Sequence, residues 1–160
     1  MPSITKIKLQ NFRKLKSCRI EFSDKETLFV GANNSGKTSA MDALIFFLKD
    51  KNKFTTKDFT LTNWSNINQI REDWIETKEE LIPDLSRKIW IDYLPKLDVW
   101  LNVKSNEVYY VNHIIPTLDW TDGLLGVRLV YEPKNIEILC KEGLIKVIFA
   151  TETFSVGIKI

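Results

Sequence analysis

Apolar and polar positions alternate with a period of two in three stretches of this chain, and each stretch predicts a strand with one face buried. Cys18, Ile20 and Phe22 alternate with Arg19 and Glu21; Leu97, Val99, Leu101 and Val103 with Asp98, Trp100 and Asn102; Val127, Leu129 and Tyr131 form the third set, closed by Pro133. Residues 4–9 read as a further strand, followed by a turn at Asn11-Phe12-Arg13-Lys14, and Ser23-Asp24-Lys25 reads as a hairpin connection. Residues 27–30 are a short apolar run ending at Gly31, the pattern of a strand buried on both faces. The period then changes. Met41, Leu44, Ile45, Phe47 and Leu48 recur at spacings of three and four, which predicts a helix after a glycine-bearing loop. Ile67, Ile70, Trp74, Leu81 and Ile82 predict a second helix ended by Pro83. Leu85, Ile89 and Tyr93 predict a short one stopped by Pro95, and Val108, Val111 and Ile115 another before Pro116. Residues 54–63 read as loop, Asp122-Gly123 as a turn, and residues 144–150 as an apolar strand-like run.

Composition narrows the class. The 160 residues are 44% hydrophobic, enough for one core, and 28% charged with no Pro/Gly/Ser-rich tract, which argues against wholesale disorder. No apolar run approaches a membrane span, and lysines at 6, 8, 14 and 16 break up any signal-peptide core, so a cytoplasmic protein is expected. Cys18 and Cys140 are expected to be reduced, with no metal-ligand spacing between them. The net charge of +2 conceals an asymmetry: residues 1–57 carry twelve Lys/Arg and five Asp/Glu, a balance of +7, which leaves −5 for residues 58–160. A basic first third suits phosphate or nucleic-acid contact, and it suits a solvated lysine-rich surface equally well.

The motif that decides between them is Gly31-Ala32-Asn33-Asn34-Ser35-Gly36-Lys37-Thr38, followed by Ser39. It satisfies G-x-x-x-x-G-K-[ST] at every fixed position, in the order strand, loop, helix that a true P-loop requires. Backbone N–H groups of such a loop wrap phosphate oxygens, and side chains at Gly31 and Gly36 would obstruct the approach. The helix that follows directs its positive end at the anion. Lys37 is expected to reach the β- and γ-phosphates of a nucleoside triphosphate, most simply ATP, and the Thr38 hydroxyl to ligate Mg²⁺. Asn33 and Asn34 tolerate left-handed backbone, which suits a tight nest of amides.

Residues 4–48 as a whole resemble the N-terminus of the RecF, SMC and OLD (overcoming lysogenisation defect) ATPases of the ABC class. Ile4-Thr5-Lys6-Ile7-Lys8-Leu9-Gln10-Asn11-Phe12-Arg13 and Leu28-Phe29-Val30-Gly31 leading into the P-loop carry that resemblance. It implies an α/β fold, a mixed sheet with a P-loop helix forming the first lobe of an ABC-type ATPase head. It also implies a phosphate contact for Arg13, which the residues alone would leave as an exposed turn arginine. Tyr93-Leu94-Pro95-Lys96-Leu97-Asp98-Val99-Trp100-Leu101, His113-Ile114-Ile115-Pro116-Thr117-Leu118-Asp119-Trp120 and Gly126-Val127-Arg128-Leu129-Val130-Tyr131-Glu132-Pro133 look like the OLD family in particular. The resemblance covers residues 1–135 and implies ATP-driven dimerisation, DNA as a partner, and work in DNA repair or phage defence. The sequence departs from that family in lacking a signature loop, an apolar strand ending in Asp-Glu and a Toprim segment. The expectation is weak ATP binding, poor turnover unless a second chain or the missing segments complement it, and no nuclease activity from this chain alone. Two functions are therefore carried forward: a nucleotide-binding module, and a non-catalytic lobe that pairs with a full-length ATPase.

Residues 136–160 read as a separate tail. Within it, residues 141–158 are similar to motif V of Ski/Mtr-type RNA helicases, although a plain strand closing the sheet explains the same apolar run. His113 reads as a packed or surface residue and Asp58 as a turn cap, although Asp58 is also a candidate neighbour of the nucleotide. The tryptophans at 64, 74, 90, 100 and 120 read as packing residues, and Glu72, Asp73, Glu76, Glu79 and Glu80 as a solvated helix face.

Overall fold

A computed structural model describes residues 1–77, 88–135 and 154–159. The alternating segments form strands and pair into one sheet. β1 (Ser3–Phe12) turns at Arg13-Lys14 into β2 (Leu15–Glu21), and the hairpin is antiparallel, with Leu9 opposite Cys18. β3 (Lys96–Val103) lies on the other side of β1, and β4 (Gly123–Pro133) on β3. β5 (Phe154–Lys159) adds to β4, so the order is β2-β1-β3-β4-β5 and every pairing is antiparallel. The α/β class is as expected, whereas no parallel pair occurs among the described strands.

Alternation gives the sheet two unlike faces. Ile7, Leu9, Leu97, Val99, Leu125, Val127 and Leu129 project to the buried side. On the opposite face, cross-strand neighbours Arg19, Lys8, Asp98 and Arg128 make a polar row, in which Arg128 donates to both Asp98 oxygens at 2.6 and 2.9 Å. α1 (Lys37–Leu48) lies against β1 and β2, and α2 (Trp64–Glu76) packs Ile67 and Ile70 into the same core. α3 (Lys88–Ile91) is a single turn before β3.

Several expectations need correction. Residues 27–30 are not a buried strand: no described strand pairs with them, and Leu28 and Val30 are 75% and 89% exposed. An extended apolar run is buried on both faces only when strands flank it and layers cover it, and no described element does so. α1 does form, but one sheet covers one face of it. Ala40, Ala43 and Phe47 turn inward, whereas Met41, Ile45 and Leu48 stay exposed. Residues 54–63 form two short 3-10 turns that bury Phe54, Phe59 and Asp58, so this loop is part of the core. The short helix expected at Val108–Ile115 is instead a 3-10 segment, Ser105–Tyr110. Of the second helix, Leu81, Ile82 and Pro83 lie outside the described residues, as do Leu85 and residues 144–150. The strand found in the tail is instead β5, where Phe154, Val156 and Ile158 alternate with Ser155, Gly157 and Lys159.

Candidate functional site

The P-loop connects residues 27–30 to α1 by a bend whose backbone needs explain its residues. Asn34 takes φ +66° and Gly36 φ +94°, both left-handed, and the Ser35 amide donates to the Ala32 carbonyl at 3.3 Å. Asparagine tolerates that region and glycine adopts it freely. Gly36 is the N-cap of α1, so Lys37, Thr38 and Ser39 occupy the first helical turn, where amides lack intrahelical partners. A Cβ at Gly31 would meet Ser35 Oγ at 2.9 Å, and one at Gly36 would meet Leu15 Cδ2 at 2.8 Å. The bend is thus a backbone cradle in which a side chain at either glycine would force Ser35 or Leu15 to shift.

The Lys37 ammonium folds back over this cradle. It donates to the Gly31 carbonyl, to the Ala32 carbonyl at 2.7 Å and to Ser35 Oγ at 3.4 Å. All three acceptors are neutral, and among the described residues no carboxylate pairs with it.

A cavity of about 1240 Å³ opens in front of the loop. Asn33, Asn34, Ser35, Gly36, Lys37, Thr38 and Ser39 line one side, together with Arg13, whereas Gly31 contributes its carbonyl to Lys37 rather than a surface to the cavity. Lys14, Lys16, Thr55, Lys57 and Trp64, which no motif in the sequence places here, also line the cavity, as does Asp58. Lys14 bridges the β1–β2 turn to the P-loop by donating to Asn34 Oδ1 at 2.7 Å. The signal for these lysines was the basic first third of the chain, which does not say which of its cations converge. The lining holds five basic side chains (Arg13, Lys14, Lys16, Lys37, Lys57) and one carboxylate, Asp58, a net +4 facing one space. With α1 pointing its N-terminus at the same space, the arrangement is built for a polyanion.

Arg13 is held more tightly than a turn arginine would be. Its Nε donates to Asp58 Oδ1 at 2.7 Å and its Nη1 to Asp42 Oδ2 at 2.5 Å, while the guanidinium lies over the rings of Phe12 and Phe46. Burial opposes its charge, but the hydrogen bonds to Asp42 and Asp58 prevail and raise its pKa above the usual arginine range. Asp58 does cap a turn, accepting from the Thr55 amide at 2.7 Å and the Thr55 hydroxyl at 3.0 Å, and it serves Arg13 as well.

The other candidates stay apart from the cavity. His113 is exposed, and Trp100 lies on the polar sheet face with Lys6 4.7 Å from its ring centre. Cys18 is a free thiol whose pKa burial raises. Among the described residues no cluster of three or more metal-ligating side chains occurs, and no helix is long and apolar enough to cross a membrane.

A family described as the AAA ATPase domain matches residues 3–142. The DNA replication and repair protein RecF of Clostridium kluyveri is 29% identical over 134 residues, covering 83% of this chain and 33% of that protein. This chain therefore spans about a third of the length of that relative. The ATP-dependent RNA helicase mtr4 of Schizosaccharomyces pombe is 46% identical over 59 residues, 36% of this chain and 5% of that protein. A chain from structural work on ATP-driven dimerization and DNA-stimulated activation of SMC ATPases superposes with a TM-score of 0.44 at 17% identity, covering 93% of this chain and 81% of the other.

Proposed function

This chain belongs to the AAA ATPase domain family, and from that membership we propose that its P-loop cavity binds ATP with Mg²⁺. The observation that carries the reading is Lys37. Among the described residues its ammonium is satisfied only by neutral oxygens of its own loop, at the edge of a cavity with a net +4 lining. Phosphate offers the ammonium a full opposite charge where the loop carbonyls offer only dipoles, so a triphosphate would draw Lys37 off its loop. The residues present fit the ligand. Amides of residues 33–38 and the Lys37 ammonium would hold the β- and γ-phosphates, Arg13 would contribute a further cation, and the Thr38 hydroxyl, with Ser39 beside it, would serve Mg²⁺. The metal, when bound, neutralises part of the phosphate charge.

Beyond binding, the reading is a lobe of an OLD-like, RecF/SMC-related ATPase that works on DNA in repair or phage defence in the cytoplasm. Residues 1–135 would form the ATPase lobe and residues 136–160 an added tail with a helicase-like stretch. Hydrolysis would need groups from a second chain or from further segments. The exposure of Leu28, Val30, Met41, Ile45 and Leu48 favours pairing with a second chain, because exposed apolar side chains are what a protein partner covers. Calorimetric titration of Mg·ATP into the wild-type chain and into Lys37→Ala tests the binding. We expect saturable binding by the wild type and at least about a tenfold loss in the variant, the loss of one charge-assisted contact. Equal heats from both proteins, or none from the wild type, would overturn the assignment.

A further inference from the structure

We propose that Asp42 and Asp58 are positioning residues for the anion site: they hold the Arg13 guanidinium by two of its nitrogens so that the third is left for the ligand. The proposal rests on the nucleotide-binding reading and gives a role to two residues outside the P-loop motif.

The geometry is specific. Asp58 is on the 3-10 turn Thr56–Asp58 and is 1% exposed; Asp42 is on the second turn of α1. They take Nε and Nη1 of Arg13 from two different elements, at 2.7 and 2.5 Å, and among the described residues Nη2 has no hydrogen-bond partner. Arg13 itself lines the cavity. Its backbone amide donates to the Asp58 carbonyl at 2.8 Å, so main chain and side chain are tied to the same residue. Arg13 also has φ +50°, a left-handed conformation that an L-residue other than glycine, asparagine or aspartate rarely adopts. Such backbone persists only where surrounding contacts over-determine it, and it clusters at ligand sites. The β1–β2 turn, the P-loop helix and the wall at residues 55–59 thus meet at one guanidinium.

A carboxylate near an anion site has two opposite effects, and their competition makes the proposal testable. As a bare negative charge, Asp42 repels ATP, so neutralising it tightens binding. As the anchor of Arg13, it fixes a cation, so neutralising it frees the guanidinium and weakens binding. The experiment is Mg·ATP and Mg·ADP titration of the whole chain as wild type, Asp42→Asn, Arg13→Ala and the double variant, with thermal unfolding recorded for each. Asp42 is the chosen partner because its side chain is 31% exposed and its loss disturbs the fold least, whereas Asp58 also caps Thr55. We expect Asp42→Asn to bind ATP about fivefold more weakly, as suits a charge-assisted bond partly screened by solvent. We also expect no further loss when Asp42→Asn is added to Arg13→Ala, the signature of one residue acting through another. Unchanged or tighter binding by Asp42→Asn, or additive losses in the double variant, would overturn the positioning role while leaving nucleotide binding intact. Absence of ATP binding by the wild type would instead remove the nucleotide reading, and this proposal with it.

Discussion

Gly36 joins the P-loop to α1 at φ +94°, and its missing side chain leaves Leu15 room to pack beneath the cradle. Gly36→Ala is expected to destabilise the fold by about 1–2 kcal/mol, the cost of a left-handed alanine. Chemical denaturation measures that loss, and titration of Mg·ATP should show a parallel loss of affinity; an unchanged midpoint would mean the loop rearranges freely. This glycine was legible in the sequence, because the G-x-x-x-x-G-K-T spacing encodes a local backbone need. Two other left-handed residues were not. Asn11, at φ +58°, is held by its amide donating to the carbonyls of Asp92 and Leu94 at 2.8 and 3.1 Å, and Arg13 is held by Asp42 and Asp58. Their stabilising partners lie 29 to 83 residues away along the chain, beyond any local pattern.

At the scale of elements, the segment between α1 and α2 matters most. Its residues have neither a helical nor a strand period, so it reads as loop. Yet the Phe54 ring stacks on Tyr131 of β4 at 4.0 Å and meets Phe12, Phe46 and Phe47 edge-on at 4.9 to 6.0 Å. Such a cluster draws its side chains from β1, α1, β4 and the segment itself, and only the fold gathers them. It also makes a prediction about pH. Burial, and then the charge of Asp58, raise the pKa of Tyr131. A raised folded value means the fold favours the protonated phenol. That contribution is complete below the unfolded value of about 10 and is lost as pH climbs from there toward the folded value. Wild-type unfolding free energy should therefore fall by about 1 kcal/mol per pH unit above roughly pH 10, and that of Tyr131→Phe should fall less. Other groups, such as Lys96, whose pKa burial lowers, are common to both proteins and cancel in the comparison. Parallel pH profiles for the two proteins would show that Tyr131 ionises without opposition.

For the whole molecule, the question is what covers α1. Ile45 is 39% exposed between Met41 and Leu48, so Ile45→Lys should change the unfolding free energy by no more than about 0.5 kcal/mol. Sedimentation velocity over a range of concentrations should show weaker association of the variant than of the wild type. A loss of several kcal/mol in the isolated chain would place Ile45 in its core instead. The sequence by itself determined the features that are local. Alternation at 97–103 and 127–131 specified β3 and β4, the three-four spacing specified α1, and the glycines and Lys37 specified the cradle, because each depends on neighbours within a few residues. Only the tertiary structure decided which apolar faces are covered, that residues 27–30 stand outside the sheet, and that Arg13, Asp42 and Asp58 converge at one cavity. Those outcomes depend on partners supplied by distant segments, and burial is a property of what packs against a residue rather than of the residue itself.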